Sequence, residues 1–223
     1  MPGGFCFSTN LSDNLSDNLS ESTFVNIAPG ADYEVRLEDA ILNIGIDPAE
    51  DDVECYVETA RISLSPSEYD EATAENMYLL SLRNVDKEEK ILHEKSEDGE
   101  VRISFGISSD LYHFLIRTYQ YINFHHPIIE IINDDLTKIH NSKNWITAAV
   151  SQGMLSIVAF KDNRLEVANC NETMVTQNRA YLVLNTWTKL GFDALNDTLY
   201  IIGKDTEVSK LKSAVSKFIK QCV

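Results

Sequence analysis

Basic residues are scarce in this chain. Its 223 residues carry 19 Lys and Arg against 35 Asp and Glu, a formal net charge of −16. Nucleic acids and anionic membranes are recognised through basic surfaces, so neither is an expected partner. Glycine and proline are few, nine and five, which excludes collagen-like and low-complexity classes. The four cysteines, Cys6, Cys55, Cys170 and Cys222, lie far apart with no CxxC spacing. Metal-finger and dithiol-redox readings therefore fail, and the set suits a reducing compartment. No apolar run approaches the ~18 residues that a membrane-spanning helix needs. The N-terminus has no basic stretch leading into an apolar one, so no signal peptide is expected. The cytoplasm is the expected location.

What is present is the material for a core. Hydrophobic residues make up 43% of the chain, with nine Phe, nine Tyr and two Trp, enough to pack an ordered α/β protein. Charge is unevenly spread. Residues 1–140 hold 9 basic and 28 acidic side chains, a net of −19, whereas residues 141–223 hold 10 and 7, a net of +3. This reads either as a solubilising acidic face or as two subdomains whose opposite charges help to orient them.

The first half is irregular. Pro2-Gly3-Gly4 is a turn with nothing before it, so the strand that should precede it is missing or shortened; Phe5–Ser8 follows as a short strand. Leu11-Ser12-Asp13-Asn14 repeats as Leu15–Asn18 and imperfectly as Leu19–Ser22. Ser, Asp and Asn favour turns over helix interiors, so this reads as a polar excursion. Phe24–Ile27 is a strand candidate, Asp32–Leu42 has helical spacing, and Asp47–Asp52 is an acidic loop. Val53, Cys55 and Val57 alternate with Glu54 and Glu58, a half-buried strand whose parity breaks near Thr59. Ser65-Pro66 has the form of a helix start, with Tyr69, Ala72, Met77 and Leu80 as the apolar face. Lys87–Gly99 is charged and closes in the hairpin-type turn Asp98-Gly99. Val101, Ile103, Phe105 and Ile107 form a strand, Ser109–Tyr119 a helix, Ile122–Phe124 a strand and Pro127–His140 a helix.

The second half is cleaner. Strands are expected at Trp145–Val150, Met154–Phe160, Arg164–Asn169 and Leu199–Ile202. Between the last two, Thr176 caps a helix with Ala180, Val183, Leu184, Trp187 and Leu190 inward, stopped by Gly191. Thr206 caps a final helix with Val208, Leu211, Val215, Ile219 and Cys222 on one face. The order is β-β-β-α-β-α. That predicts a single layer over 146–223, with Met154–Phe160 and Leu199–Ile202 in one sheet and Trp187 buried.

This order resembles the ribonuclease-H-like unit, two of which in tandem build the sugar-kinase, heat-shock ATPase and actin architecture. Leu64-Ser65-Pro66-Ser67-Glu68-Tyr69-Asp70, the Phe124-His125-His126-Pro127 corner, and Met154–Asn169 with its following helix are similar to an uncharacterised Bacteroidetes family with an actin-like ATPase fold. The resemblance runs from Pro2 over nearly the whole chain. It implies an α/β fold of two such subdomains, 1–140 (acidic) and 141–223. Similar proteins carry one more strand before the Pro2-Gly3-Gly4 turn.

Active members of that architecture hold nucleotide with two glycine-containing hairpin turns and a glycine-rich adenosine segment, an Asp beside each turn handling Mg²⁺ and water. By this resemblance the phosphate positions are Gly3 and Gly4 in the first turn and Ser151, Gln152 and Gly153 in the second. Gly203 and Lys204 fall in the adenosine segment. The first turn has no Asp, Ser151 stands where the second Asp is expected, and the adenosine segment has one Gly instead of two. No catalytic residue and no metal ligand is assigned. The resemblance thus implies a non-catalytic binding or scaffolding protein without cofactor, acting on a protein partner. The alternative is an actin-like ATPase with an unconventional site, using ATP and Mg²⁺. A two-metal nuclease ranks third, because Glu50-Asp51-Asp52 precedes a strand instead of lying on one. His126, Glu130 and Asp134 recur every four residues and read as a solvated helix face before a metal stripe. His125-His126-Pro127 reads as a strand-to-helix corner with one imidazole bonded to the backbone.

Overall fold

A computed structural model of the protein describes residues 4–7, 23–26, 39, 52–82, 88–138, 140, 142–151 and 153–223. The Leu11–Ser22 repeat, the Asp47–Asp52 loop up to Asp51 and, apart from Asp39, the Asp32–Leu42 segment lie outside them. The chain divides into two compact units. One joins Met1–Cys55 to Ser108–Asn123, the other Tyr56–Ile107 to Phe124–Val223.

In the first unit, β1 (Gly4–Phe7) and β2 (Thr23–Asn26) form an antiparallel pair within a residue of the expected strands. β3 (Asp52–Tyr56) pairs with β7 (Tyr121–His125), and α2 (Ser109–Thr118) buries Phe114 and Leu115.

The second unit is built on a five-stranded sheet. β8 (Trp145–Val150), β9 (Met154–Lys161) and β10 (Arg164–Glu172) are antiparallel neighbours; α4 (Thr176–Leu190) leads to β11 (Thr198–Gly203), parallel to β8. α5 (Asp205–Val215) then returns the chain to β12 (Gln221–Cys222), parallel to β11, giving the order β10-β9-β8-β11-β12. Met154–Phe160 and Leu199–Ile202 therefore share a sheet, as the strand order requires. Asp162 and Asn163 both take positive φ (52° and 61°), the backbone that lets a two-residue hairpin follow the strand twist.

Side chains alternate across a strand, and here both faces are covered. Ile146, Ala148, Leu155, Ile157, Leu199 and Ile201 pack with Val183 and Trp187 of α4 and Leu211 and Val215 of α5. The opposite face, with Trp145, Val158 and Phe160, packs against Ile128, Ile129 and Ile132 of α3 (Pro127–Thr137). Burial on both sides explains why β9 is apolar from Met154 to Phe160 except at Ser156. Trp145 and Phe160 are direct cross-strand partners whose rings stack at 4.6 Å.

Three sequence expectations are corrected. Ser65-Pro66 does not open a helix. Both residues end β4 (Ile62–Pro66), where Ser65 pairs with Arg102 and Pro66 with Val101 of β6 (Val101–Ser108). A strand end tolerates the missing proline N–H. α1 starts later (Glu71–Ser81), capped by Asp70, whose carboxylate accepts from the Thr73 N–H at 2.7 Å. That shift rotates the helix: Ala74 and Tyr78 are buried, while Tyr69 and Leu80 are exposed. Second, the charged run after residue 87 contains β5 (Glu89–Lys95), which completes a β4-β6-β5 sheet through the Asp98-Gly99 turn. Third, neither Thr176 nor Thr206 caps its helix. Val175 and Lys204 occupy those positions without side-chain bonds, and Cys222 lies in β12 beyond the last helix.

The His125-His126-Pro127 corner is a built element. His126 is fully buried and caps α3, its Nδ1 accepting from the Ile128 N–H at 3.1 Å while Nε2–H donates to the Thr59 carbonyl at 3.0 Å. Both bonds need the neutral ring, and burial depresses its pKa to about 4. The unfolded chain takes up this proton near pH 6.5, so the folded state loses stability as pH falls from there towards 4, by about 3 kcal/mol in all. Glu58, Glu130 and Asp135, whose pKa values burial raises, act in the opposite sense. The expected result is a stability slope in urea melts between pH 7 and 5 that His126→Asn, which still offers a cap oxygen, reduces; His93, whose pKa burial also lowers, keeps the remainder.

Candidate functional site

The second hairpin turn and the adenosine-type segment meet at one end of the five-stranded sheet. β8 stops at Val150, whose register partner in β11 is Gly203. Ser151 follows β8, Gly153 precedes β9, and Lys204 is the residue from which α5 starts. Four candidate positions are thus adjacent: Ser151, Gly153, Gly203 and Lys204. Gly4 opens β1 in the other compact unit, and Gly3 and Gln152 lie outside the described residues.

The two glycines are needed for different reasons. Gly203 has φ +142°, and a Cβ built on it would sit 2.3 Å from the Val150 carbonyl oxygen. The neighbouring strand occupies the space a side chain would need. Gly153 has φ +86°, but a Cβ there would meet only the Met174 side chain, at 3.5 Å. Its requirement is conformational.

Under the turn lies a residue absent from the sequence reading. Arg179, only 3% exposed, donates from Nη2 to the Ser151 carbonyl (3.2 Å) and from Nε to the Thr173 carbonyl (3.0 Å). Its Nη1 pairs with Glu207 Oε2 at 2.6 Å. Thr173 in turn donates its N–H to the Gly153 carbonyl at 2.8 Å. One guanidinium therefore ties the turn, the approach to α4 and the first turn of α5. Lys210, at 2.7 Å, and Arg179 hold the Glu207 carboxyl below the usual range. A signal for Arg179 did exist: it precedes Val183 and Trp187 at four-residue spacing, so it sits on the buried stripe of α4.

Ser151 has a second role. Its hydroxyl donates to Glu58 Oε1, bringing a carboxylate from another segment to the position where the turn lacks one. Burial raises the Glu58 pKa, and the Ser151 bond partly offsets it. His126, Glu130 and Asp134 diverge: the first caps α3, the second meets Tyr56 Oη at 3.5 Å, the third pairs with Lys138 at 2.9 Å. Among the described residues, no group of three or more His, Cys, Asp or Glu side chains could hold a metal ion, and no helix is long and apolar enough to cross a membrane. A cavity of about 230 Å³ along α3, lined by Asp135, His140, Thr147 and Tyr200 among others, contains none of the candidate residues.

Among solved structures the chain is similar to a protein from Bacteroides thetaiotaomicron with an actin-like ATPase fold and unknown function. The two share 22% identity and a TM-score of 0.77, over 91% of this chain and 80% of that one. The likeness establishes the actin-like ATPase fold. An AlfA filament bound to AMPPNP aligns at 10% identity and a TM-score of 0.36, over 85% of this chain and 58% of that one. No curated protein matches the chain. The match to a family model spans residues 44–222, from before β3 to β12, and by it the chain belongs to the family described as a protein of unknown function (DUF3822).

Proposed function

We propose that the protein is a non-catalytic binding or scaffolding protein whose phosphate turns have degenerated. The supporting observation is the use made of Arg179. A cation beneath a phosphate turn would serve an anionic ligand, yet its donors are taken by two carbonyls and the Glu207 carboxylate. The N-terminus of α5, a natural anion cradle, carries in its first turn Asp205, which repels phosphate, and Glu207, which Arg179 and Lys210 already hold. The same reading puts the protein in the cytoplasm, with a protein partner and no resident cofactor, since the charge of −16 disfavours nucleic acid and membrane. It also treats 1–140 and 141–223 as two ribonuclease-H-like subdomains, because β8 to β12 with α4 and α5 already make a closed sheet-and-helix layer.

One observation favours the second reading, an ATPase with an unconventional acid: the Glu58 carboxylate on Ser151. The two separate in a steady-state phosphate-release assay with Mg²⁺ and millimolar ATP. Background release is the expected result, because hydrolysis in this architecture relies on carboxylates that place the metal and the water. Turnover that disappears in Glu58→Gln or in a Gln152→Ala, Gly153→Val double variant would establish the ATPase instead.

A further inference from the structure

The sheet β4-β6-β5 has two unlike faces. Ile62, Leu64, Ile103 and Phe105 point into the apolar core. The alternate residues Ser63, Ser65, Arg102 and Ser104 share the other face, since Ser63 pairs with Ser104 and Ser65 with Arg102 across the ladder. His93 of β5 joins them, its Nδ1 2.9 Å from Ser104 Oγ. Helix α1 packs on β4, and Ser63, Ser65, Arg102 and Ser104 are all buried. A sheet face covered by a helix is ordinarily apolar; this one carries three hydroxyls, an imidazole and a guanidinium.

The group is poorly satisfied. Among the described residues, Ser63 Oγ, Ser65 Oγ and Arg102 Nε are buried without a hydrogen-bond partner. Arg102, 6% exposed, has one hydrogen bond, to the Ser67 carbonyl at 3.5 Å, and one ion pair, 3.7 Å from the Glu71 carboxylate. Arg61, by contrast, grips Glu89 at 2.6 and 2.8 Å a few residues away. Buried guanidinium groups are normally paired through close, bidentate contacts. The nearest countercharge to Arg102 belongs to the covering helix, on a Glu71 side chain that is 74% exposed. That helix is held chiefly through Ala74 and Tyr78, both fully buried, and turns Leu79 and Leu80 outward. Lifting it exposes one large side chain instead of a full apolar face.

We propose that this polar face is a covered binding site for a tetrahedral oxyanion, a phosphate or sulfate group, with α1 as its lid and Glu71 standing in for the anion. Arg102 would meet the anion through its planar fork, and Ser63 and Ser65 would donate to the remaining oxygens. Glu71 and the neighbouring Glu75 leave with the helix, so lifting α1 removes these two carboxylates along with the steric cover.

The test uses the full chain and inorganic phosphate, with ionic strength held constant by sodium chloride. Phosphate stabilises many proteins by exclusion from their surfaces, so the informative quantity is the difference between parent and Arg102→Met. The expected result is a rise in Tm of roughly 4 °C when phosphate is tenfold over its dissociation constant, absent in Arg102→Met. Hydrogen exchange should at the same time quicken in α1 and slow in β6. Glu71→Gln removes only an exposed carboxylate and should tighten phosphate binding about threefold. That variant keeps the question decidable if Arg102→Met fails to fold. Equal shifts in parent and Arg102→Met, no shift in the parent, or unchanged or weakened binding in Glu71→Gln would each overturn the proposal.

Discussion

Trp187→Ala is expected to destabilise the protein by about 3–5 kcal/mol, the usual cost of truncating a large buried aromatic side chain. Trp187 is 5% exposed, lies between α4 and the five-stranded sheet, and meets Phe192 edge-on at 5.4 Å. Removing it takes contacts from Val183 on its own helix and from the sheet beneath, and a rigid sheet cannot collapse to fill the gap. Domains of this size commonly have only 5–15 kcal/mol in all, so the variant should be partly unfolded at physiological temperature. Guanidinium unfolding followed by circular dichroism measures the effect. A midpoint equal to that of the parent would mean that Trp187 does not pack as described.

Gly203→Val is the second large effect, on the order of 3 kcal/mol or more. Two costs combine. A β-branched residue at φ +142° is in a region essentially reserved for glycine, and its Cβ would collide with the Val150 carbonyl oxygen, 2.3 Å away. That oxygen belongs to the backbone of the adjacent strand, so relief requires the end of β11 to leave β8. Gly153→Ala makes the internal comparison. Its φ of +86° is also unfavourable for alanine, but the space around it is open apart from Met174. The expected cost is about 1–2 kcal/mol. If both variants melt alike, close approach of the strands is not what requires glycine at 203.

Gly153 and Gly203 each have a structural reason to be glycine: a positive φ at the first, and at the second the Val150 carbonyl oxygen where a side chain would stand. Ser151, Arg179 and Glu207 give the turn an internal partner set. In the sequence, an arginine beside Ala180 has the pattern of the polar margin of an apolar stripe. Only the packed structure reveals that the carbonyls of Ser151 and Thr173 come within its reach.

Local patterns determined a good deal. The alternation of Val101 to Ile107, the apolar runs of β8 and β9, the Asp162-Asn163 turn and the stop at Gly191 are properties of a few consecutive residues, and the structure has each of them. Helix phase at α1 is set from further away: Ser65-Pro66 and Asp70 both have the form of a helix start, and pairing of β4 with the distant β6 takes Ser65 and Pro66 into a strand. Short β12 carried no pattern of its own and exists because α5 returns the chain to the edge of β11. Tertiary structure alone decided which surfaces meet. Periodicity states that a face is buried but not what covers it, because the covering element is distant in sequence and is chosen by the whole packing. Hence Ser63, Ser65, Arg102 and Ser104, polar residues that alternate with the apolar ones of two strands, lie beneath a helix.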